Sequence, residues 1–302
     1  MAFREIYRKQ VALLIRVVPL IAEETCFALK GGTAINLFIR DMPRLSVDID
    51  LTYLPLQSYE ASLAAIDAAM GRIAARIKTS IPGSTIAEGQ KGARTHLLTR
   101  AEGVSNEIEV TPVLRGCIHD PELKSVTETV EDSFGFAEMK VLSFPDLYAG
   151  KIVAALDRQH PRDFFDTREL LANEGIDDAL RRAFLVYLVS HSRPMHEVLA
   201  ARRKDMTLEF ERGFKGMTEE PVAIEELLAA RETLIANIVG KMPAGHKKFL
   251  TSFVRGKPDW TLIELPDAAK LPAVKWRQVN LDKLTPEKRA AEVAALEKVL
   301  SS

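Results

Sequence analysis

Leu29-Lys30-Gly31-Gly32-Thr33-Ala34-Ile35-Asn36-Leu37 is followed, after a short connection, by Ser46-Val47-Asp48-Ile49-Asp50-Leu51. Cys26 to Lys30 reads as a short apolar strand, Gly31-Gly32 as a turn, and Thr33 to Arg40 as a helix opening directly after it. Val47 to Leu54 alternates as a second strand. Side chains along a strand point to opposite faces in turn, so Asp48, Asp50 and Thr52 share one face, while Val47, Ile49 and Leu51 share the other and pack inward. Two neighbouring carboxylates repel, which costs stability or forces one to keep a proton. A divalent cation, Mg²⁺ or Mn²⁺, removes that cost, and Mg²⁺ prefers a few carboxylates plus the oxygens of a bound phosphate. The glycines supply the phosphate half. They permit a tight turn and close backbone approach, the helix behind them presents unpaired N–H groups to an anion, and Thr33 adds a hydroxyl. A triphosphate on the turn and a metal on the aspartates make one coherent site for phosphoryl transfer.

Outward from this pair, Asn106-Glu107-Ile108-Glu109-Val110 repeats the alternation, with Ile108 and Val110 inward and Glu107 and Glu109 opposite. Glu109, central between apolar neighbours, is the candidate third metal ligand; an exposed strand acid is the alternative. Leu147 to Arg158 reads as a helix with Lys151 inside its apolar part. A lysine there either snorkels to the surface or reaches a triphosphate as a point charge. His160-Pro161-Arg162-Asp163-Phe164-Phe165-Asp166 comes next. Asp163 can cap the new helix, and Asp163 and Asp166, three apart, share a face. Arg162 either binds phosphate or pairs with a nearby aspartate. Phe164 and Phe165 read as core, and His160 as a loop residue.

The rest of the chain frames these segments. Residues 4–24 and 57–78 are helical by apolar spacing, and Thr95–Thr99, Glu107–Leu114 and Ala137–Leu142 are strand candidates. Beyond about residue 145 the pattern turns helical, over 163–173, 177–190, 222–240 and 284–300, with Pro and Gly marking 243–274 as an irregular connection. Ser143, Pro145 and Asp146 fit the start of the helix at Leu147–Leu156, which precedes these. The 302 residues suit two domains, divided as 1–145 and 146–302, with 146–172 completing the active site. With 47% hydrophobic and 27% charged residues, the composition is that of a soluble globular protein. No apolar run approaches the ~20 residues of a membrane span, and the amphipathic N-terminal stretch is no signal peptide. Cys26 and Cys117 read as reduced, buried thiols of a cytoplasmic protein, and no Cys/His set has zinc spacing. A net charge of −1 makes the whole chain no magnet for nucleic acid, but residues 241–289 hold eleven Lys or Arg against five Asp or Glu. That stretch is either a phosphate-facing surface or an ordinary solvated face.

LKGGTAINL, RLSVDIDL, GKIVAAL and RDFFD together resemble the AbiEii/AbiGii group of toxin nucleotidyltransferases, which includes the MenT-type toxins. The matched motifs run from about residue 29 to 170. The resemblance implies an α/β (α+β) fold: a polymerase-β-like nucleotidyltransferase core with a mixed sheet, followed by a mostly helical C-terminal domain. It implies the toxin of a toxin–antitoxin or phage-defence system with a separately encoded antitoxin, adding nucleotides from an NTP to the 3′ acceptor end of tRNA. By position, the family's Ser-x-Asp falls on Ser46 and Asp48, with Asp50 the second acid. Its lysine falls on Lys151, and its later aspartate on Asp163. Thr33 stands where many nucleotidyltransferases have serine. On this reading Asp48 and Asp50, with Glu109, hold the metal. Gly31, Gly32, Thr33, Ser46, Lys151 and Arg162 hold the nucleotide, and Asp163 orients Lys151 or acts as base. The alternatives are a small-molecule or protein hydroxyl as acceptor, or a non-catalytic nucleotide-binding module.

Overall fold

A computed structural model describes residues 3–89 and 92–301. The chain divides into two compact units, Met1–Ser143 with Lys215–Val222, and Phe144–Phe214 with Ala223–Ser302. The return of residues 215–222 to the first unit rests on backbone bonds: Arg4 N–H donates to the Gly216 carbonyl at 3.0 Å, and Leu45 N–H to that of Met217 at 2.7 Å.

The first unit carries α1 (Glu5–Ala22), β1 (Phe27–Lys30), α2 (Gly31–Thr33), β2 (Ile49–Tyr53), α3 (Tyr59–Ser80), β3 (Thr85–Glu88), β4 (His96–Ala101), β5 (Val104–Val110), β6 (Glu122–Ser125), α4 (Glu128–Phe134) and β7 (Glu138–Val141). The strands form one seven-stranded mixed sheet in the order β3-β4-β5-β2-β1-β7-β6. β2 runs parallel to β5 and β1 parallel to β7, and the other pairs are antiparallel. Val11, Leu14, Val18 and Ile21 recur at helical spacing along α1 and are fully buried, where the helix packs on β5 and β7. Ile66, Met70, Ile73 and Ile77 do the same along α3, whose start is capped by Ser58 accepting from Ala61 N–H at 3.2 Å.

Three readings of the first half change. Gly31 and Gly32 are not a turn ahead of a helix; they are its first residues, and α2 runs straight into a π-helical segment at Ala34–Ile39. β3 and β6 went unread because they are edge strands with mostly exposed side chains, so they carry no apolar alternation. Cys26 and Cys117 form no disulfide and are half-buried rather than buried.

The second unit is helical: α5 (Phe144–Arg158), α6 (Pro161–Asn173), α7 (Asp178–Val189), α8 (Met195–Ala200), α9 (Thr207–Gly213), α10 (Ile224–Ile235), α11 (Ala244–Val254), α12 (Pro272–Asp282) and α13 (Pro286–Ser301). The stretch 243–274 is not an irregular connection, since it contains α11 and two 3-10 turns. Phe249, Phe253 and Trp260 form an aromatic cluster there with ring centres 5.0–6.3 Å apart. Burial of those rings outweighs the local Pro and Gly signals. Among the described residues no helix is long and apolar enough to cross a membrane.

Candidate active site

In the first unit, β1 feeds directly into the Gly31-Gly32 helix start, and β2 lies antiparallel beside it. Lys30 stands opposite Asp50, and on the other side Asp50 is paired with Glu109 of β5, which in turn faces His96 of β4. Paired residues share a sheet face, so Lys30, Asp50, Glu109 and His96 form a row across four strands. Asp48 sits just ahead of β2, half-buried like Asp50, whereas Glu109 is exposed. Glu107 is exposed too, with its carboxylate 3.8 Å from the His96 imidazole.

The helix start is pressed against Asp50. Gly31 has φ +74°, and a Cβ at this position would collide with the Asp50 carboxylate. At Gly32 a Cβ would lie 2.7 Å from the Arg44 guanidinium and 2.9 Å from the Ser46 hydroxyl. Only glycine therefore brings the backbone this close to the acid and hydroxyl groups. Gly31→Ala is expected to cost about 1 kcal/mol or more from the left-handed backbone alone. It should also push Asp50 aside, so calorimetry should show metal–nucleotide binding weakened together with stability.

Thr33 is fully buried. Its hydroxyl makes a short hydrogen bond to the Asp48 carbonyl and lies 3.1 Å from the Ser46 hydroxyl. A carbonyl only accepts, so Thr33 donates its single proton there, and the Ser46 hydroxyl donates to Thr33. The Thr33 side chain thus ties the helix to the backbone of Asp48. Two further amides hold the same region: Asn36 donates to the Gly32 carbonyl at 2.9 Å, and Asn106 of β5 to the Val47 carbonyl at 2.8 Å. Arg44, only 1% exposed, donates to the Leu45 carbonyl at 2.9 Å. The irregular segment 44–48 is therefore fixed from two sides, by Thr33 of α2 and Asn106 of β5, with Arg44 bonded within it, which is what a preorganised site requires.

Arg44, Asn106 and Lys30 are the contributors that sequence reading passed over. Arg44 had a signal, because it begins RLSVDIDL; Asn106 and Lys30 reach the aspartates only through strand pairing. Among the described residues, no three His, Cys, Asp or Glu side chains gather closely enough to hold a metal by themselves. Asp48 and Asp50 suit a hard divalent cation that completes its oxygen shell with phosphate and water.

The second unit holds its own buried charge cluster. The Lys151 ammonium of α5 lies 2.9 Å from Asp163 and 2.9 Å from Asp166, both on α6. Arg158 closes on Asp163 as a fork, at 2.6 and 2.9 Å. Lys151 does not snorkel outward: it is 6% exposed, with Asp163 at 0% and Asp166 at 1%. Burial alone would raise the Asp163 pKa, but the Lys151 and Arg158 charges outweigh it and hold the carboxyl far below the usual range. The N-cap of α6 is His160, whose Nδ1 accepts from Arg162 N–H at 3.1 Å, not Asp163. The adjacent Pro161 suits the first helical position. Arg162 is half-buried, and Phe164 and Phe165 are core residues.

A family model described as nucleotidyl transferase AbiEii toxin, type IV toxin–antitoxin system, matches residues 12–276. Among solved structures the chain is similar to MenT4, a nucleotidyltransferase toxin from Mycobacterium tuberculosis H37Rv. The TM-score is 0.61 at 16% identity, covering 95% of this chain and 92% of that one. No curated protein sequence matches. The mixed sheet with its helices agrees with the α/β nucleotidyltransferase fold expected from the motifs. The chain belongs to the AbiEii family, the nucleotidyltransferase toxins of type IV toxin–antitoxin systems.

Proposed function

We propose that this nucleotidyltransferase moves a nucleotide from an NTP onto the 3′ acceptor end of tRNA and so blocks translation. It would act with Mg²⁺ or Mn²⁺, in the cytoplasm, opposed by a cognate antitoxin. The observation that carries the chemistry is the packing of Gly31 directly on Asp50, with Thr33 bonded to the backbone of Asp48. A triphosphate lying along the Gly31-Gly32 backbone is thereby brought to both carboxylates. The Ser46 hydroxyl and the Arg44 guanidinium line the same approach beside Gly32. Asp48 and Asp50 hold the divalent cation, with Glu109 on the neighbouring strand as a third acid. Bound there, the cation supplies charge neutralisation for the phosphates.

In the reaction the acceptor hydroxyl attacks the α-phosphorus, a new P–O bond forms, the α–β anhydride bond breaks, and pyrophosphate leaves. Positioned charge rather than covalent chemistry provides most of the acceleration. In the second unit we assign Lys151, with Arg162, to nucleotide phosphate. Asp163, whose proton affinity is so low, serves to orient Lys151 rather than to act as a base, and Asp166 shares that task.

The test is incubation of the protein with total tRNA, Mg²⁺ and each α-labelled NTP in turn, beside Asp48→Ala. Label on tRNA from one NTP, absent with the variant, is the expected result. Full transfer by Asp48→Ala overturns the site assignment. Intact metal–NTP binding without tRNA label overturns the acceptor and points to a protein or small-molecule hydroxyl.

A further inference from the structure

We infer that the groove between α11 and α13 is a docking surface for the sugar–phosphate backbone of the RNA acceptor. This rests on the acceptor reading above and adds where the RNA is held. The groove measures about 460 Å³ and is lined by Lys247, Lys248, Arg255 and Lys257 from one side, with Glu297 of α13 as the one acid among the described lining residues.

The four cations are not equivalent. Lys247 donates to the Leu300 carbonyl at 2.6 Å, and Arg255 pairs with Glu297 at 2.8 Å. The ammonium groups of Lys248 and Lys257 are exposed and have no hydrogen-bond or ion-pair partner among the described residues. Thr251 and Ser252, also in the lining, spend their hydroxyls on the Lys247 and Phe249 carbonyls. The groove therefore offers the uncommitted positive charge of Lys248 and Lys257 on walls formed largely by carbon atoms of the lining side chains.

Two features favour a nucleic-acid backbone over other anions. Lys248 on α11 and Arg255, the residue that caps its C-terminal end, are seven residues apart, which separates them by about 10 Å along the axis, and Lys257 extends the line beyond the helix end. A single small anion needs no such length, whereas a chain of phosphates does. The lining also lacks exposed apolar or aromatic side chains, which are the anchors a protein partner would use. Positive charge without sequence-reading groups suits an enzyme that must grip the body of an RNA whatever its sequence.

The experiment measures binding of total tRNA to the full chain across a salt series, and steady-state transfer, for wild type and Lys248→Ala/Lys257→Ala. Both lysines are exposed, so the fold should survive, checked by an unchanged melting temperature and unchanged Mg–NTP binding. Expected are a slope of log affinity against log salt reduced by roughly 1.5, from about 0.7–0.9 per lost phosphate contact, and KM for tRNA raised about tenfold with kcat retained. Lys248→Arg/Lys257→Arg should restore both. If wild type labels tRNA and the alanine variant keeps the wild-type slope and KM, the groove assignment is overturned alone. If wild type binds Mg–NTP but neither binds nor labels tRNA, the acceptor reading falls and takes the groove with it.

Discussion

Asp50→Asn should lower nucleotide transfer by at least about a thousandfold while changing stability by less than about 1 kcal/mol. On the proposed assignment the activity loss follows from removing one of the two carboxylates that would hold the cation, a charge interaction worth several kcal/mol in the transition state. The small stability change follows from strand pairing. Asp50 lies between Lys30 on β1 and Glu109 on β5. An opposite charge on one side and a like charge on the other contribute about 0.2–1 kcal/mol each with opposite signs, so neutralising Asp50 loses one and relieves the other. Thermal unfolding beside the tRNA-labelling assay reads both quantities. A variant that unfolds early would make Asp50 a structural residue, and a variant that still transfers would remove it from the site.

The largest stability effect belongs to Asp163→Ala, at about 3–5 kcal/mol of unfolding free energy measured by denaturant titration. Breaking a buried ion pair by deleting one partner leaves the other charge without compensation. Here the orphan is Lys151, 6% exposed, which would keep only Asp166. A loss below 1 kcal/mol would contradict the buried cluster. The pH dependence has a definite sign. The native Asp163 carboxyl is held well below its ordinary value, so the unfolded chain takes up the proton first. Its contribution to stability is complete above the ordinary carboxylate pKa of about 3.9. It drains away as pH falls below that value. Asp163→Asn lacks this acid sensitivity, so the stability gap between wild type and variant should narrow as pH drops below about 4.

Much of the central architecture is legible because its causes are local. Alternation along Val47 to Leu54 put Asp48, Asp50 and Thr52 opposite Val47, Ile49 and Leu51, and Ile49 and Leu51 are indeed fully buried while both aspartates stay half-exposed. Periodic apolar residues gave α1 and α3 for the same reason: each position's burial repeats with the geometry of its own helix. Where burial was absent or composition misled, the reading broke down. β3 and β6 show no pattern because edge strands expose their side chains, and α11 was hidden by glycines and prolines that its aromatic cluster overrides.

What the sequence determined by itself is therefore the pair of acids, a helix starting close behind β1, and the α/β character, since each depends on neighbours within a few residues; that Gly31 and Gly32 are the first residues of that helix came from the structure. The tertiary structure decided what surrounds those acids. It set Lys30 and Glu109 on either side of Asp50, buried Arg44 behind Gly32, brought Asn106 from β5 to the Val47 carbonyl, and turned Lys151 inward onto Asp163 and Asp166. Strand register and the burial of paired charges depend on residues distant in sequence meeting at a fixed offset. That offset is chosen by the packing of the whole sheet or helix pair, where a one-residue slip would send every side chain to the wrong face.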